Sequence, residues 1–270
     1  MKDDINVFVL GPAGTFSHEA ALKYFGEKEF IFMNTVWDIF NSITDTGDYG
    51  LVPMENFLMG SVGEVLDYFV DMGVMVSGEI NLPLVQNLIG KTDEIEKIVS
   101  HSKAIEQCRK FLRENYPDVP LEEVASTAKA AEQVSVNPGQ AAIGSELAAK
   151  LYGLKILEKK VQDSESNVTR FLVISKKDHK PTGNDKTSIV FYTKKDVPGI
   201  LWRILGGFAK RDISLTKIES RPSKRAMGDY YFFIDFEGHR EDKEVGDALD
   251  EGREYMAWLK VLGSYPIHGK

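Results

Sequence analysis

The chain has 270 residues, 43% hydrophobic and 27% charged, an ordinary globular composition with length for roughly two domains. Disorder, collagen-like repetition and a disulfide scaffold are excluded; the one cysteine, Cys108, forms no internal bridge and points to a reducing compartment. A net charge of −8 argues against a nucleic-acid partner and requires that any anionic ligand be held by local features against the overall field.

The opening stretch MKDDINVFVLGPAG starts with acids and turns early, unlike a signal peptide. No window is apolar enough to span a membrane, so a cytoplasmic protein is expected. Apolar runs at 6–10, 30–33, 49–54, 74–80, 97–101, 141–144 and 170–175 read as strands. Helix patterns at 15–25, 36–43, 61–70, 102–115, 127–135 and 145–152 alternate with them. That alternation predicts α/β architecture with mainly parallel strands and ligand contacts in the strand-to-helix turns. The polar segment KKDHKPTGNDKTS (176–188), with Pro181 and Gly183, reads as a linker. Beyond it, TSIVFYT, PGILWRILGGFAKR, DISLTKIESRPS, DYYFFIDFE, EDKEVGDALDEGREY and WLKVLGSYP give the βαββαβ order of a ferredoxin-like unit. A unit this small leaves an edge or face free to pair with another copy.

Familiar metal and nucleotide motifs fail on spacing. HEAAL (18–22) has Leu22 where a zinc helix needs its second histidine, and GKT (90–92) has Val85 where a phosphate loop needs glycine. Four other segments carry side chains suited to binding. GPAGTFSHEA (11–20) enters a helix through Gly14, Thr15 and Ser17, which hold a carboxylate at the helix start or simply cap it. YGLVPMENFLMGSV (49–62) ends a strand in Glu55 and Asn56, which bond a ligand or fix the turn. ASTAKAAEQV (125–134) offers Ser126 and Thr127 at another helix start, with the same two readings. SNVTRFLVIS (166–175) brings Asn167, Thr169, Arg170 and Phe171 to the mouth of an apolar strand. There Arg170 takes a carboxylate in a bidentate contact or lies on the surface.

GPAGTFS, PMEN, STAKAAE and NVTRF, in that order, together with HSKAIEQC (101–108) and AAIGSELAAKLYGL (141–154), resemble the prephenate dehydratase family. PGILWRIL and LTKIESRP (215–222) resemble the regulatory ACT domain that follows its catalytic domain, so the resemblance spans nearly the whole chain. It implies an α/β catalytic domain over 1–180, two-lobed like a type II periplasmic binding protein, with the second lobe at about 80–155. A ferredoxin-like ACT domain over 186–270 is implied after it.

The implied reaction removes a hydroxyl and a carboxylate from prephenate to give phenylpyruvate, and it needs no cofactor or metal. Thr169 of the TRF motif is implied as the critical catalytic residue, donating a hydrogen bond or relaying a proton to the leaving oxygen. Asn56 is implied as a further catalytic residue, with Glu55 as a neighbouring proton source if burial raises its pKa. Gly14, Thr15, Ser126, Thr127, Asn167, Arg170 and Phe171 are the implied substrate contacts, Arg170 orienting its loop or meeting one carboxylate. L-phenylalanine is the implied effector, held by Gly199, Ile200 and Leu201 and by Glu219, Ser220, Arg221 and Pro222 across the interface of a dimer or tetramer.

Four positions depart from the usual family pattern, Met54 standing for isoleucine, Phe57 for serine, Ser102 for proline and Lys103 for glutamine, and two of them bear on the site. The changes at Phe57 and Lys103 weaken any role for either. The alternatives are the same chemistry on arogenate and a non-catalytic amino-acid sensor; retention of Thr169 and Arg170 favours an enzyme.

Overall fold

A computed structural model describes residues 5–43, 48–194, 197–224 and 228–269. Strand β1 (Val7–Leu10) turns into α1 (Phe16–Phe25), followed by β2 (Ile31–Met33) and α2 (Val36–Ser42). A reciprocal capping box between Thr35 and Asp38 starts α2. Next come β3 (Tyr49–Asn56), the short β4 (Gly60–Ser61), α3 (Gly63–Asp71) and β5 (Met75–Pro83). The chain then crosses into a second lobe: β6 (Asn87–Gly90), β7 (Lys97–Ser100), α4 (Ser102–Gln107), α5 (Arg109–Asn115), β8 (Leu121–Glu123), α6 (Thr127–Ser135), β9 (Gln140–Gly144), α7 (Glu146–Leu151) and β10 (Lys155–Glu158). It returns through β11 (Val168–Ser175). The C-terminal unit is β12 (Asp185–Thr193), α8 (Ile200–Ala209), β13 (Leu215–Pro222), β14 (Tyr230–Glu237), α9 (Lys243–Arg253) and β15 (Met256–Pro266).

Three sheets result, ordered β2-β1-β3-β11-β5 with β4 beside β3, β10-β6-β9-β7-β8, and β13-β14-β12-β15. The expectation of mainly parallel strands is corrected. Parallel pairing joins β1 to β2 and β3, and β7 to β8 and β9, but β11 is antiparallel to both β3 and β5. The cause is connectivity: β5 leads the chain out to the second lobe and β11 brings it back alongside, so the two must run in opposite directions. The helix expected over 102–115 is divided at Cys108 into α4 and α5.

The first sheet is covered on both faces. On one, Val9, Leu51, Ile80 and Phe171 pack under Ala20 and Ala21 of α1. On the other, Val52, Leu172 and Phe69 share a core with Val190, Phe233, Leu262 and Tyr265 of the third sheet. Helices α8 and α9 cover the opposite face of that third sheet. The face expected to be free for another copy is therefore filled by the chain's own first lobe, which leaves the sheet edges, β13 and β15. The fit is close: a Cβ on Gly263 would overlap the Val76 backbone of β5. Lys260 of β15 donates to the carbonyls of Phe69 at 2.7 Å and Met72 at 2.6 Å, closing the C-terminal end of α3. Among the described residues no helix is long and apolar enough to cross a membrane.

Candidate active site

Between the two lobes lies a cleft of about 740 Å³. Its first-lobe wall includes Leu10, Gly11, Thr15, Asn56, Gly60 to Glu64 and Thr169; Gln86, His101, Lys103, Gln107, Ser126 and Thr127 form the other side.

Asn56 organises the centre because register sets it directly opposite Thr169 across β3 and β11. Its Nδ2 donates to Thr169 Oγ1 at 2.9 Å and to Asn167 Oδ1 at 2.8 Å, while its Oδ1 accepts the amides of Leu58 and Met59 at 3.0 and 3.2 Å. The Thr169 oxygen thus accepts from Asn56 and keeps its own proton for donation. Asn167 Nδ2 donates onward to Gln107 Oε1 at 2.9 Å, and Gln86 Nε2 meets the same oxygen at 3.2 Å. A string of amides therefore ties the threonine of the first lobe to a helix of the second.

The capping reading of the helix starts is met by hydrogen bonds. Thr15 Oγ1 accepts the His18 amide and donates to the Leu10 carbonyl, and Ser126 Oγ accepts the Lys129 amide, so each is a cap. Each also lines the cleft, followed by Phe16 and Thr127, whose helices open there with first-turn N–H groups.

Five expected site residues do not line the cleft: Asn167, 1% exposed, is spent within the string of amides rather than on a substrate, and four others lie elsewhere. Gly14 (φ 91°) sits in the seam between lobes: its amide donates to His18 Nδ1 at 3.1 Å and its carbonyl accepts from Ser145 Oγ at 3.2 Å. Phe171 is core beneath α1. Arg170 and Glu55 pair across the strands on the face away from Thr169, because neighbouring strand residues point to opposite sides. Arg170 is 7% exposed and meets Glu79 at 2.6 Å, Asp235 at 2.6 Å, Glu55 at 3.1 Å and the Tyr265 hydroxyl at 2.8 Å. It holds the C-terminal unit to the first lobe and contacts no cleft volume shared with Thr169.

Glu55 was expected to act as an acid only with a raised pKa, and the opposite is found. Burial pushes its carboxyl up, but the Lys217 ammonium at 2.7 Å and Arg170 outweigh burial and hold it below the ordinary range. A carboxyl with a lowered folded pKa contributes stability that is complete above its unfolded value of about 4.5 and lost as pH falls through the folded value. Glu55→Gln is therefore expected to leave the neutral-range pH profile of turnover unchanged. Its stability deficit against wild type, followed by urea unfolding, should be full at pH 7 and shrink on acidification below the ordinary carboxylate range.

The expected effector residues do not form one pocket within a single chain. Gly199 (φ 80°) begins α8, while Ile200 and Leu201 pack against the C-terminal core. Ile200 also lines a cavity of about 270 Å³ with Tyr192, Ser223, Asp229 and Tyr230. On β13 the side chains alternate: Glu219 accepts from Ser61 Oγ and Lys217, and Arg221 reaches Asp67 at 3.1 Å, both toward the first lobe. Ser220 and Pro222 are exposed on the other side.

The sequence reading missed the second-lobe wall of Gln86, His101, Lys103 and Gln107. One signal was present: in HSKAIEQC, Lys103 and Gln107 are four residues apart, on one helical face.

Residues 7–179 match the family model for prephenate dehydratase, and residues 187–251 match that for the ACT domain. The chain is 48% identical to the bifunctional chorismate mutase/prephenate dehydratase of Aquifex aeolicus (strain VF5), over 98% of this chain and 75% of that protein. The prephenate dehydratase of Arthrobacter aurescens, solved in complex with L-Phe, is similar with a TM-score of 0.87 at 32% identity, covering 97% of this chain and 90% of that one. The solved structure of GqqA, a quorum-quenching acylase, is similar with a TM-score of 0.88 at 28% identity, covering 98% of each chain. The chain belongs to the prephenate dehydratase family, lyases, and carries an ACT domain after the catalytic part.

Proposed function

We propose that the cleft binds prephenate and that Thr169 donates a hydrogen bond to the departing ring hydroxyl. The observation that carries this is the Asn56–Thr169 contact, in which the threonine oxygen accepts and its own proton stays available for donation. In the reaction the ring C–O bond breaks and the ring carboxylate leaves as CO₂, its electrons entering the ring. The hydroxide takes up one proton and leaves as water, giving phenylpyruvate. Aromatisation drives the change, so the protein supplies orientation and a donor at the leaving oxygen. The helix starts at Thr15, Ser126 and Thr127 take substrate carboxylates. Asn167 holds Asn56 in place.

Acyl hydrolysis is less well served. Among the described residues the hydroxyls of Thr15, Ser61, Ser126 and Thr169 bond backbone groups, Glu219, Lys217 or Asn56, and none bonds an imidazole that could activate it. A purely sensing role gives the Thr169 proton, left free for donation, nothing to do.

L-phenylalanine is the effector in this reading, supported by the L-Phe complex of the Arthrobacter relative. Coupling has a physical route. Glu219 and Arg221 of β13 hold Ser61 and Asp67, and the segment from Gly60 to Glu64, which contains the first of these anchors, lines the cleft, so an effector that moves β13 moves one wall. Self-association uses the unpaired β13 edge, on which Ile218 is 48% exposed. A cytoplasmic location suits the single buried Cys108, whose thiol is pushed up to about 12 by burial and by Asp163.

Incubation with prephenate and with arogenate, following phenylpyruvate and phenylalanine, tests the substrate; L-phenylalanine added to the same assay and sedimentation velocity test the rest. Phenylpyruvate formation that responds to L-phenylalanine is expected. No turnover of prephenate would overturn the reading.

A further inference from the structure

An acidic protein that binds a dicarboxylate needs a local cation, and Arg170 is fully engaged by Glu79, Asp235, Glu55 and Tyr265. Among the described residues lining the cleft, Lys103 alone carries a permanent positive charge. It lies in the first turn of α4, on the lobe opposite Asn56 and Thr169. Its amide already donates to His101 Nδ1 at 3.2 Å, and the Ala104 and Ile105 amides go to the His101 carbonyl. What this position offers a ligand is its side chain, not its backbone. His101 accepts as a neutral ring: burial, then the adjacent Lys103, holds it below its ordinary range, against a weaker opposing effect of Glu123.

A second observation marks the same wall as built for a ligand. Gln86 is 2% exposed and lines the cleft, yet its Oε1 has no hydrogen-bond partner. Its Nε2 is fixed on Gln107, which sets the direction of the orphaned oxygen. A buried acceptor left unmet is costly and rare. Prephenate at neutral pH carries two carboxylates and one hydrogen-bond donor, its ring hydroxyl. Lys103 complements one of those carboxylates, on the wall that Gln86 helps to build.

We propose that Lys103 is the substrate-binding cation of this active site, pairing with a prephenate carboxylate from the second lobe. The proposal rests on the prephenate reading of the cleft. It gives this chain a charge-assisted contact at a position where the family more often has a neutral amide. Held equally in ground and transition states, such a contact acts on KM and leaves kcat alone.

The test compares wild type with Lys103→Met and Lys103→Arg on prephenate, each over a range of ionic strength. Lys103→Met is expected to raise KM about ten- to a hundredfold with kcat within about twofold of wild type. Lys103→Arg should recover most of the affinity. The fall of kcat/KM with added salt should be steep in wild type and shallower in Lys103→Met, which a purely structural role would not produce. An unchanged KM in Lys103→Met, or a raised KM with an unaltered salt dependence, would overturn the assignment. Wild-type turnover of prephenate is scored first and separately, so failure of the substrate reading shows in wild type and failure of the lysine assignment only in the variants.

Discussion

Arg170→Ala is expected to lower stability by about 3–5 kcal/mol, read from urea unfolding, because it strips the cation from a buried charge cluster. The cluster joins two parts of the chain. Arg170 comes from β11, Glu79 from β5, and Asp235, Lys186 and Tyr265 from the C-terminal sheet. The side chains of Glu79 and Asp235 are 0% and 5% exposed, so neither can recover its hydration once the guanidinium is gone. Glu79 retains Lys186 at 2.8 Å, whereas Asp235 keeps no ion-pair partner among the described residues. That orphaned carboxylate dominates the loss.

Arg170→Lys should fall between the two, since one ammonium cannot serve three carboxylates and a phenol at the angles a planar guanidinium spans. The double change Arg170→Met with Asp235→Leu should recover much of the stability, because removing both charges leaves nothing unpaired. Loss below about 1 kcal/mol in Arg170→Ala would mean that the cluster is solvated and contributes like a surface pair.

The same residue shows what was legible in the sequence and what was not. TRF and PMEN each set candidate ligand contacts side by side in the sequence, yet a strand sends alternate side chains to opposite faces. Thr169 and Asn56 share the cleft face; Arg170 and Glu55 share the face toward the C-terminal sheet. Applied to those blocks, the period of two already separates the roles. The C-terminal unit was legible element by element because its strands and helices are long and strongly patterned. In the second lobe, β6, β8 and β10 have only three or four residues each, too few for a period to show.

A second contact of charged residues is illegible in the sequence. Lys217, Glu219 and Arg221 alternate along β13 as a solvated face would, but they are half-buried against Ser61, Glu55 and Asp67. Nothing local distinguishes a charged strand face bound for solvent from one that will meet complementary charges on another domain. Gln86 gave even less, being a single amide in a connection, distinguished only once its oxygen is found buried and unmatched.

Thr169→Val is expected to cut kcat on prephenate by about 10²–10³-fold, the size of effect seen when one preorganised donor to a developing oxyanion is removed. Valine keeps the shape of threonine, and Asn56 Nδ2 retains Asn167 Oδ1 at 2.8 Å and the Val168 carbonyl at 3.3 Å. Stability should therefore drop by only about 1 kcal/mol, the net worth of one hydrogen bond. KM should change little, because the leaving oxygen gains charge only as the C–O bond stretches, and a donor aimed there acts on the transition state. Thr169→Ser, which restores the hydroxyl without the methyl, should return to within about tenfold of wild type, as a donor role requires. Steady-state assays of phenylpyruvate formation, with urea midpoints on the same preparations, separate these effects. If valine at this position left kcat within about tenfold of wild type, Thr169 would be a packing residue that Asn56 happens to touch. The donor to the leaving oxygen would then have to come from the hydroxyls at the helix starts, Ser126 or Thr127, which face the same cleft.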